Sequence, residues 1–149
     1  MSPKCATVAR RKPRPGVEVS GFSTTVSGAY VALALAVHDL LASGKLAVSP
    51  LITPVAAVSC GLVSGQALLD LRYSEDSIAD ADVNVVQTLS GHLVEVQGTA
   101  EGAAFPREQL DRLLDLANIG NSQLFAAQQS ALAQVMDPPA LVALVTTPD

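Results

Sequence analysis

Beyond residue 23 the apolar residues recur at successive spacings of four, three, four and three positions. They are Val26, Tyr30, Leu33, Val37 and Leu40. Because this period matches the turn of an α-helix, it predicts a helix with one apolar stripe. Ser23 or Thr24 is a suitable N-cap, since either hydroxyl oxygen can accept a hydrogen bond from a free amide of the first turn. Gly44 is a suitable stop at the other end.

Four short segments rich in Val, Leu and Ala follow this helix. They are residues 55–63, 67–71, 83–88 and 93–97. Their length and composition predict β-strands. Ser64 and Gly65 link the first pair, and Ser90 and Gly91 link the second, which predicts two hairpins with short turns.

A second helix is predicted to begin at Pro106, because the fixed φ of proline suits the first helical position. Its apolar residues at helical spacing are Leu110, Leu113, Leu114, Ala117, Leu124, Phe125 and Leu132. Gly120 and Asn121 form a weak point midway, and the proline-containing tail of residues 134–149 is predicted to be irregular. The order helix, four strands, helix predicts an α+β fold, an antiparallel sheet with helices on one face.

The charge is unevenly distributed along the chain. The 149 residues carry a formal net charge of −5, yet five of the nine basic residues lie within the first twenty positions. Residues 1–22 show no helical or strand period, and we interpret them as an irregular basic arm. The alternative is an arm that grips RNA or an acidic surface. The remainder is acidic, which argues against a protein that binds nucleic acid through many phosphate contacts.

The two cysteines and the apolar first helix suggest no special compartment. Cys5 and Cys60 are isolated and have no nearby His, so neither a zinc site nor a disulfide framework is predicted, and the cytoplasm is the expected location. Residues 26–42 are apolar enough to raise the question of a membrane span, which needs about 20 apolar residues. Because His38 and Asp39 interrupt this run, we expect no membrane insertion.

The densest group of carboxylates lies between the two predicted hairpins. Its members are Asp70, Glu75, Asp76, Asp80 and Asp82. Each one taken singly could be a solvated loop residue. In an extended chain Asp70 and Asp76 would lie about 20 Å apart, so they can reach one ion only if the chain turns near Tyr73. Two carboxylates about 4 Å apart repel by about 4 kcal/mol at an effective dielectric of about 20, and Mg²⁺ would remove this repulsion.

Residues 68–102 read LLDLRYSEDSIADADVNVVQTLSGHLVEVQGTAEG. This segment resembles the ribonuclease PH pattern of an Asp-containing strand, an acidic turn that ends in EDS, a D-x-N-V-V strand and a VEVQGTAEG strand end. The resemblance extends back through SGAYVALALAVHDLL and PVAAVSCGLVSG and forward through PREQLDRLLDLANIGNSQLFAAQQSAL. It implies that residues 23–133 form the C-terminal half of a ribonuclease PH-like domain.

In this family inorganic phosphate attacks the terminal phosphodiester of RNA and releases a nucleoside diphosphate. The resemblance therefore implies a phosphorolytic 3′→5′ exoribonuclease, a tRNA nucleotidyltransferase that trims tRNA 3′ ends with Mg²⁺ as cofactor and phosphate as co-substrate. It implies that Asp70 and Asp76 are the catalytic and metal-binding pair, and it leaves open whether Asp82 is structural or catalytic. Family members form hexameric rings, so the resemblance also implies a homo-oligomer.

The sequence departs from the family at the phosphate cradle before the first helix. The family has a GGTRT-like segment there, whose Thr and Arg hold phosphate. Here the aligned residues are 19–23, and Phe22 stands in place of the arginine. The helix N-terminus at Ser23 and Thr24 can still present amide groups to an anion, although its grip is weaker without the guanidinium.

The N-terminal half of the family pattern has no counterpart in this sequence. Because the match begins abruptly at residues 20–23, one hypothesis is that residues 1–22 derive from a shifted reading frame or a mispredicted start. The other is that the chain is a diverged, catalytically inactive fragment or scaffold subunit of a ribonuclease PH-like assembly.

Overall fold

A computed structural model describes residues 21–145 of the chain. Its elements, in chain order, are α1 (Gly21–Ala42), β1 (Val55–Val63), β2 (Gln66–Leu69), α2 (Tyr73–Asp76), β3 (Ala81–Thr88), β4 (Leu93–Ala100), α3 (Arg107–Leu132) and α4 (Pro138–Ala143). The predicted helix, four strands and helix are therefore confirmed. The predictions for residues 1–20 lie outside the described residues.

The four strands form one antiparallel sheet in the order β2-β1-β3-β4. Both predicted hairpins are present, and β1 and β3 pair in the centre of the sheet. Along β3 buried residues alternate with half-buried ones, because successive side chains point to opposite faces. The buried set packs beneath α3, where Val83 and Val85 meet Leu113 and Ala117 in one apolar cluster.

A second apolar cluster joins the C-terminal parts of α1 and α3 to α4. Its buried residues are Tyr30, Ala34, Val37, Leu132, Met136 and Leu144. The prediction of an irregular tail is therefore wrong for Pro138–Ala143. Asp137 caps this short helix by accepting a hydrogen bond from the Ala140 amide, and the prolines occupy its first turn. Ser49 fixes the far end, since its hydroxyl donates to the Leu144 carbonyl.

The buried stripe of α1 differs from the predicted one. Tyr30 and Val37 are buried as expected, but Leu33 is 52% exposed, and Ala34 takes its place in the core. Because residues 29–37 are apolar throughout, spacing alone could not select the buried face there. The helix also includes Gly21 and Phe22, so Ser23 lies inside it and the predicted N-cap is wrong.

The second long helix runs without a break through its predicted weak point. Gly120 allows close approach to β2, since a Cβ at that position would lie 2.7 Å from a Leu69 methyl carbon. The amide nitrogen of Asn121 donates to the Val85 carbonyl at 3.3 Å and to the Gln87 side chain at 2.8 Å. Packing and hydrogen bonds thus compensate for weak helix formers. Pro106 is the N-cap, one position before its predicted place.

Within residues 21–145 one helix is long and apolar enough to cross a membrane, judged by length and composition. This segment, Ser23–Ala42, has a mean hydropathy of 1.5, and 22% of it is buried in the protein. The core helix of a soluble protein or a signal sequence would pass the same test, so the observation is weak evidence for a membrane span. One face of α1 packs against β1 and α3, and much of the remaining surface is exposed.

Candidate active site at the acidic turn

Asp70 occupies the point where β2 ends. The predicted strand extends to Leu71, but the structure ends it at Leu69, because Asp70 adopts a left-handed φ of 55° that turns the chain. The Asp70 amide still donates to the Ser59 carbonyl at 2.7 Å. One carboxylate oxygen accepts a hydrogen bond from the Ser23 hydroxyl at 3.3 Å. This bond connects the first turn of α1 to the start of the acidic turn.

The turn between β2 and β3 is anchored by a buried leucine. Leu71 is 5% exposed and packs over Gly61, where no larger residue would fit beneath it. The chain then forms the short helix α2. The Glu75 carboxylate accepts from the Arg72 amide at 3.2 Å, and the amides of Glu75 and Asp76 donate to the Arg72 carbonyl at 2.8 Å. Asp76 is the last residue of this helix.

Asp82 lies on the half-buried face of β3. It pairs with Gly61 of β1, and its neighbour two positions on, Asn84, pairs with Ser59. The Ser59 hydroxyl donates to the Asn84 side-chain oxygen at 2.6 Å, which leaves the Asn84 amide nitrogen to donate to Asp82 at 3.5 Å. Burial raises the pKa of Asp82, and the negative charges of Asp76 and Glu101 raise it further.

Asp76 and Asp82 line an open cleft of about 660 Å³. The other lining residues are Ser77, Ile78, Ala79, Asp80, Glu101 and Gly102. Glu101 enters this cleft because β4 pairs with β3, and its amide donates to the Asp80 carbonyl at 3.0 Å. The cleft is therefore acidic and is built from the turn and from the ends of two neighbouring strands.

Asp76 lies close enough to Asp82 to raise its pKa, whereas Asp70 lies at the start of the turn and is not among the residues that line the cleft. Asp70 continues the β2 register opposite Ser59, and Asp82 faces Gly61, so both positions belong to the same face of the sheet. Both negative charges raise the pKa of the buried Cys60 thiol, whose burial is the main cause of a pKa of about 12. The roles of Asp70 and Asp76 in catalysis remain predictions.

No three His, Cys, Asp or Glu side chains in residues 21–145 are arranged to hold a metal ion by themselves. Mg²⁺ does not require such a cage, since it is usually bound by one or two carboxylates together with substrate phosphate and water. The repulsion between Asp76 and Asp82 that raises the pKa of Asp82 is of the kind that a bound cation relieves. The donor chemistry therefore fits Mg²⁺.

The predicted phosphate-binding residues Ser23 and Thr24 lie near the start of α1. Ser23 is 1% exposed and its hydroxyl is bonded to Asp70, so this side chain is directed into the site rather than to an external anion. Thr24 is exposed. The phosphate-binding role of Ser23 and Thr24 stays a prediction.

Three residues of the site were not identified from the sequence. They are Ser59, Asn84 and Glu101. The alternation of Asp82 and Asn84 along a strand is a signal that could have paired these two on one face. Ser59 and Glu101 could be found only once the register of β1, β3 and β4 was known, because each is distant in sequence from the carboxylates of the turn.

Residues 53–120 match the 3′ exoribonuclease family, domain 2. The chain is 54% identical over 112 residues to a ribonuclease PH from Crocosphaera subtropica, with 75% of this chain and 47% of the relative covered. It is 56% identical over 112 residues to a ribonuclease PH from Nocardia farcinica, with 74% and 44% covered. The chain thus spans about half the length of the curated relatives it matches.

Solved structures resemble the chain over a shorter part. The match to an archaeal exosome core covers 50% of this chain and 30% of the exosome chain, at 20% identity and a TM-score of 0.45. The match to an Archaeoglobus fulgidus exosome with RNA bound to the active site covers 49% of this chain and 28% of the exosome chain, at 20% identity and a TM-score of 0.44. These overlaps are too limited to carry an argument about function.

Proposed function

We propose that the chain serves phosphorolytic 3′→5′ trimming of RNA, with tRNA 3′ ends as substrate, because it matches domain 2 of the 3′ exoribonuclease family and about half the length of its ribonuclease PH relatives. The observation that carries this proposal is the acidic turn, which lies inside the matched segment. The turn brings Asp76 close to Asp82. Asp82 lies on the same face of the sheet as Asp70.

In the proposed reaction an oxygen of inorganic phosphate forms a bond to the terminal phosphorus of the RNA. The bond from this phosphorus to the 3′ oxygen of the preceding nucleotide breaks, a nucleoside diphosphate leaves, and the 3′ oxygen takes up a proton. No covalent enzyme intermediate is needed, so the protein contributes positioning and electrostatic stabilisation. This chemistry suits a site of carboxylates without a nucleophilic triad.

Asp70 and Asp76 would hold Mg²⁺, which when bound neutralises charge on the phosphate groups. The Ser23 hydroxyl orients the Asp70 carboxylate, and the buried Leu71 fixes the turn that carries Asp76. The Ser59–Asn84 hydrogen bond orients Asp82 on the neighbouring strand. These contacts support a pre-organised arrangement, in which each carboxylate has a defined position before RNA binds.

The proposal includes association with further copies of the chain. The exposed apolar residues include Leu33 and Leu40 of α1 and, on the edge strand β4, Leu93, Val94 and Val96. Exposed apolar patches and strand edges favour contact with other chains. Size-exclusion chromatography with light scattering measures this directly, and a monomer at micromolar concentration would contradict it.

A non-catalytic scaffold subunit is the competing function. One observation favours it: Phe22 stands where the family pattern has an arginine. Loss of a bidentate guanidinium weakens phosphate binding. A scaffold would keep the fold and the subunit contacts without phosphate-dependent activity.

The decisive assay mixes the full chain with a tRNA that carries extra 3′ nucleotides, Mg²⁺ and phosphate, and measures nucleoside diphosphate release. The proposal predicts a phosphate-dependent product that is lost, by at least about 100-fold, in Asp70→Asn and Asp76→Asn. Asp115→Asn is the matched control, because this exposed carboxylate lies on α3 outside the acidic cleft.

Each result of this assay has one meaning. Activity that resists both substitutions would remove the acidic turn from the mechanism. A lack of product under conditions in which a full-length ribonuclease PH is active would favour the scaffold. A similar loss in Asp115→Asn would indicate a general effect of charge or folding rather than a role at the site.

A further inference from the structure

Tyr73 is the one strongly exposed aromatic side chain among those that the structure describes. It is 82% exposed, whereas Tyr30 is buried and the rings of Phe105 and Phe125 are half-buried. Only 3% of the chain is aromatic, and it has no tryptophan. An exposed apolar residue taken singly needs no explanation. Tyr73 differs from such residues because it lies within the acidic turn.

The backbone of Tyr73 is fixed although its ring is free. The preceding Leu71 is buried over Gly61, and the Tyr73 carbonyl accepts a hydrogen bond from the Ser77 amide at 3.0 Å. The ring therefore projects from a well-held turn. Tyr73 and Asp76 are three positions apart on α2, and residues at this spacing on a helix are neighbours with Cβ atoms about 5–6 Å apart.

We infer that Tyr73 is a positioning residue that stacks on the 3′-terminal base of the RNA. This inference rests on the proposed function, because the base that would stack on Tyr73 is the one next to the phosphodiester that is cleaved. A stacked base beside Asp76 would place its ribose and phosphate near the carboxylates of the turn. Aromatic rings are the usual platforms for unstacked bases of single-stranded RNA.

Charge favours stacking as the means of holding RNA here. The cleft that Asp76 enters from the same short helix is also lined by Asp80, Asp82 and Glu101, so it repels phosphate in the absence of a cation. Arg72 is the only lysine or arginine between positions 46 and 106. The base, which is uncharged and has an apolar face, is the part of the nucleotide that can contact this surface without electrostatic cost. Stacking is indifferent to base identity, which suits stepwise removal of different nucleotides.

The test measures equilibrium binding of a fluorescein-labelled single-stranded RNA octamer by anisotropy, with Mg²⁺ and without phosphate, so that no turnover occurs. A second octamer lacks only its 3′-terminal base. The proteins are the full chain, Tyr73→Phe, Tyr73→Leu and, as a matched control, Val142→Ala, which truncates an exposed apolar residue on α4.

The expected dissociation constant of Tyr73→Phe is within about twofold of the wild-type value, since the ring is kept. Tyr73→Leu is expected to bind about 5- to 100-fold more weakly, from about 1–3 kcal/mol per stacked base. Loss of the terminal base weakens wild-type binding by a similar factor and does not weaken Tyr73→Leu further. Val142→Ala binds both octamers as the wild type does.

Equal binding of the complete octamer by the wild type and Tyr73→Leu overturns the inference. An equal loss for both octamers in Tyr73→Leu, or a wild-type chain that binds neither octamer, also overturns it. Thermal melting establishes that Tyr73→Leu is folded, and the comparison of the two octamers on the wild type does not depend on that variant. Because phosphate is absent, failure of phosphorolysis leaves this binding result unaffected, and the two proposals can fail separately.

Discussion

Gly61 connects the stability of the sheet to the geometry of the site. A Cβ at this position would lie 2.4 Å from a Leu71 methyl carbon and 2.7 Å from the Ala81 carbonyl oxygen. The leucine could rotate away, but the carbonyl belongs to the backbone of β3, which pairs with β1 at this point. Relief of the clash must therefore shift the two central strands or displace the leucine that anchors the acidic turn.

We expect Gly61→Ala to be destabilised by about 1–2 kcal/mol. Overpacking a close contact costs about 1–3 kcal/mol, and the restricted unfolded chain of alanine returns about 0.4–1 kcal/mol. For a chain of this length the melting temperature should fall by about 3–8 °C. Phosphorolysis should fall further than the unfolded fraction explains, because displacement of Leu71 moves Asp76. Urea unfolding followed by circular dichroism measures the first effect, and nucleoside diphosphate release measures the second.

Gly28→Ala is the matched control for this experiment. Gly28 lies within α1, and a Cβ at this position would meet no atom of another element within 4 Å, so alanine fits without a clash. Alanine in a helix interior should raise stability by about 0.5–1 kcal/mol. If Gly61→Ala were as stable as the wild type while Gly28→Ala behaved as expected, the close packing of Gly61, Leu71 and Ala81 would be refuted.

Three further predictions follow from buried groups. The pKa of Asp82 is higher in the folded chain than in the unfolded one. The effect of this group on stability is therefore absent below the unfolded pKa and becomes unfavourable as pH rises through the folded pKa. Asp82→Asn should be more stable than the wild type at pH 7 and equally stable below about pH 3.5, and urea unfolding midpoints measure this difference. In a Cys5→Ser background Cys60 should resist a thiol reagent at pH 8 until the chain unfolds, because its pKa is about 12 and it is fully buried; rapid labelling of the folded chain would contradict this. Asn121→Leu should be less stable by about 1–3 kcal/mol, because the buried side-chain oxygen of Gln87 loses its donor, and the double variant with Gln87→Leu should recover most of this stability; equal stability of the single and double variants in urea would refute the pairing.

The sequence predicted the elements that depend on local pattern and composition. The bounds of β1 and the hairpins at Gly65 and Gly91 were confirmed, since short turns with positive-φ glycines are encoded locally. The stripe of α1 could not be predicted, because Leu33 and Ala34 are both apolar and only tertiary packing chooses between them. The helix Pro138–Ala143 was missed for a related reason: its prolines indicate a loop unless Asp137 is recognised as a cap.

The candidate site was predictable in its centre and not at its edges. The acidic turn between two strands identified Asp70, Asp76 and Asp82 from spacing and resemblance. Glu101 follows β4, nineteen positions after Asp82, and meets the cleft only through the β3–β4 register. The bond from Ser23 to Asp70 likewise joins two elements 47 positions apart. Contacts of this kind depend on the assembled sheet and carry no local signal.

The salt dependence of RNA binding distinguishes RNA held at the acidic turn from RNA held by the basic arm. The lysines and arginines of positions 21–145 are Lys45, Arg72, Arg107 and Arg112, and only Arg72 lies in the turn. Binding through one phosphate contact predicts a slope of about −0.7 for log affinity against log salt, whereas the five basic residues before position 20 would give about −3.5. We expect a slope no steeper than about −1 at fixed Mg²⁺, both in the wild type and in a variant whose five arm residues are changed to glutamine. A steep slope that disappears in this variant would show that the arm holds the RNA, and the stacking surface would then lose its place in the mechanism.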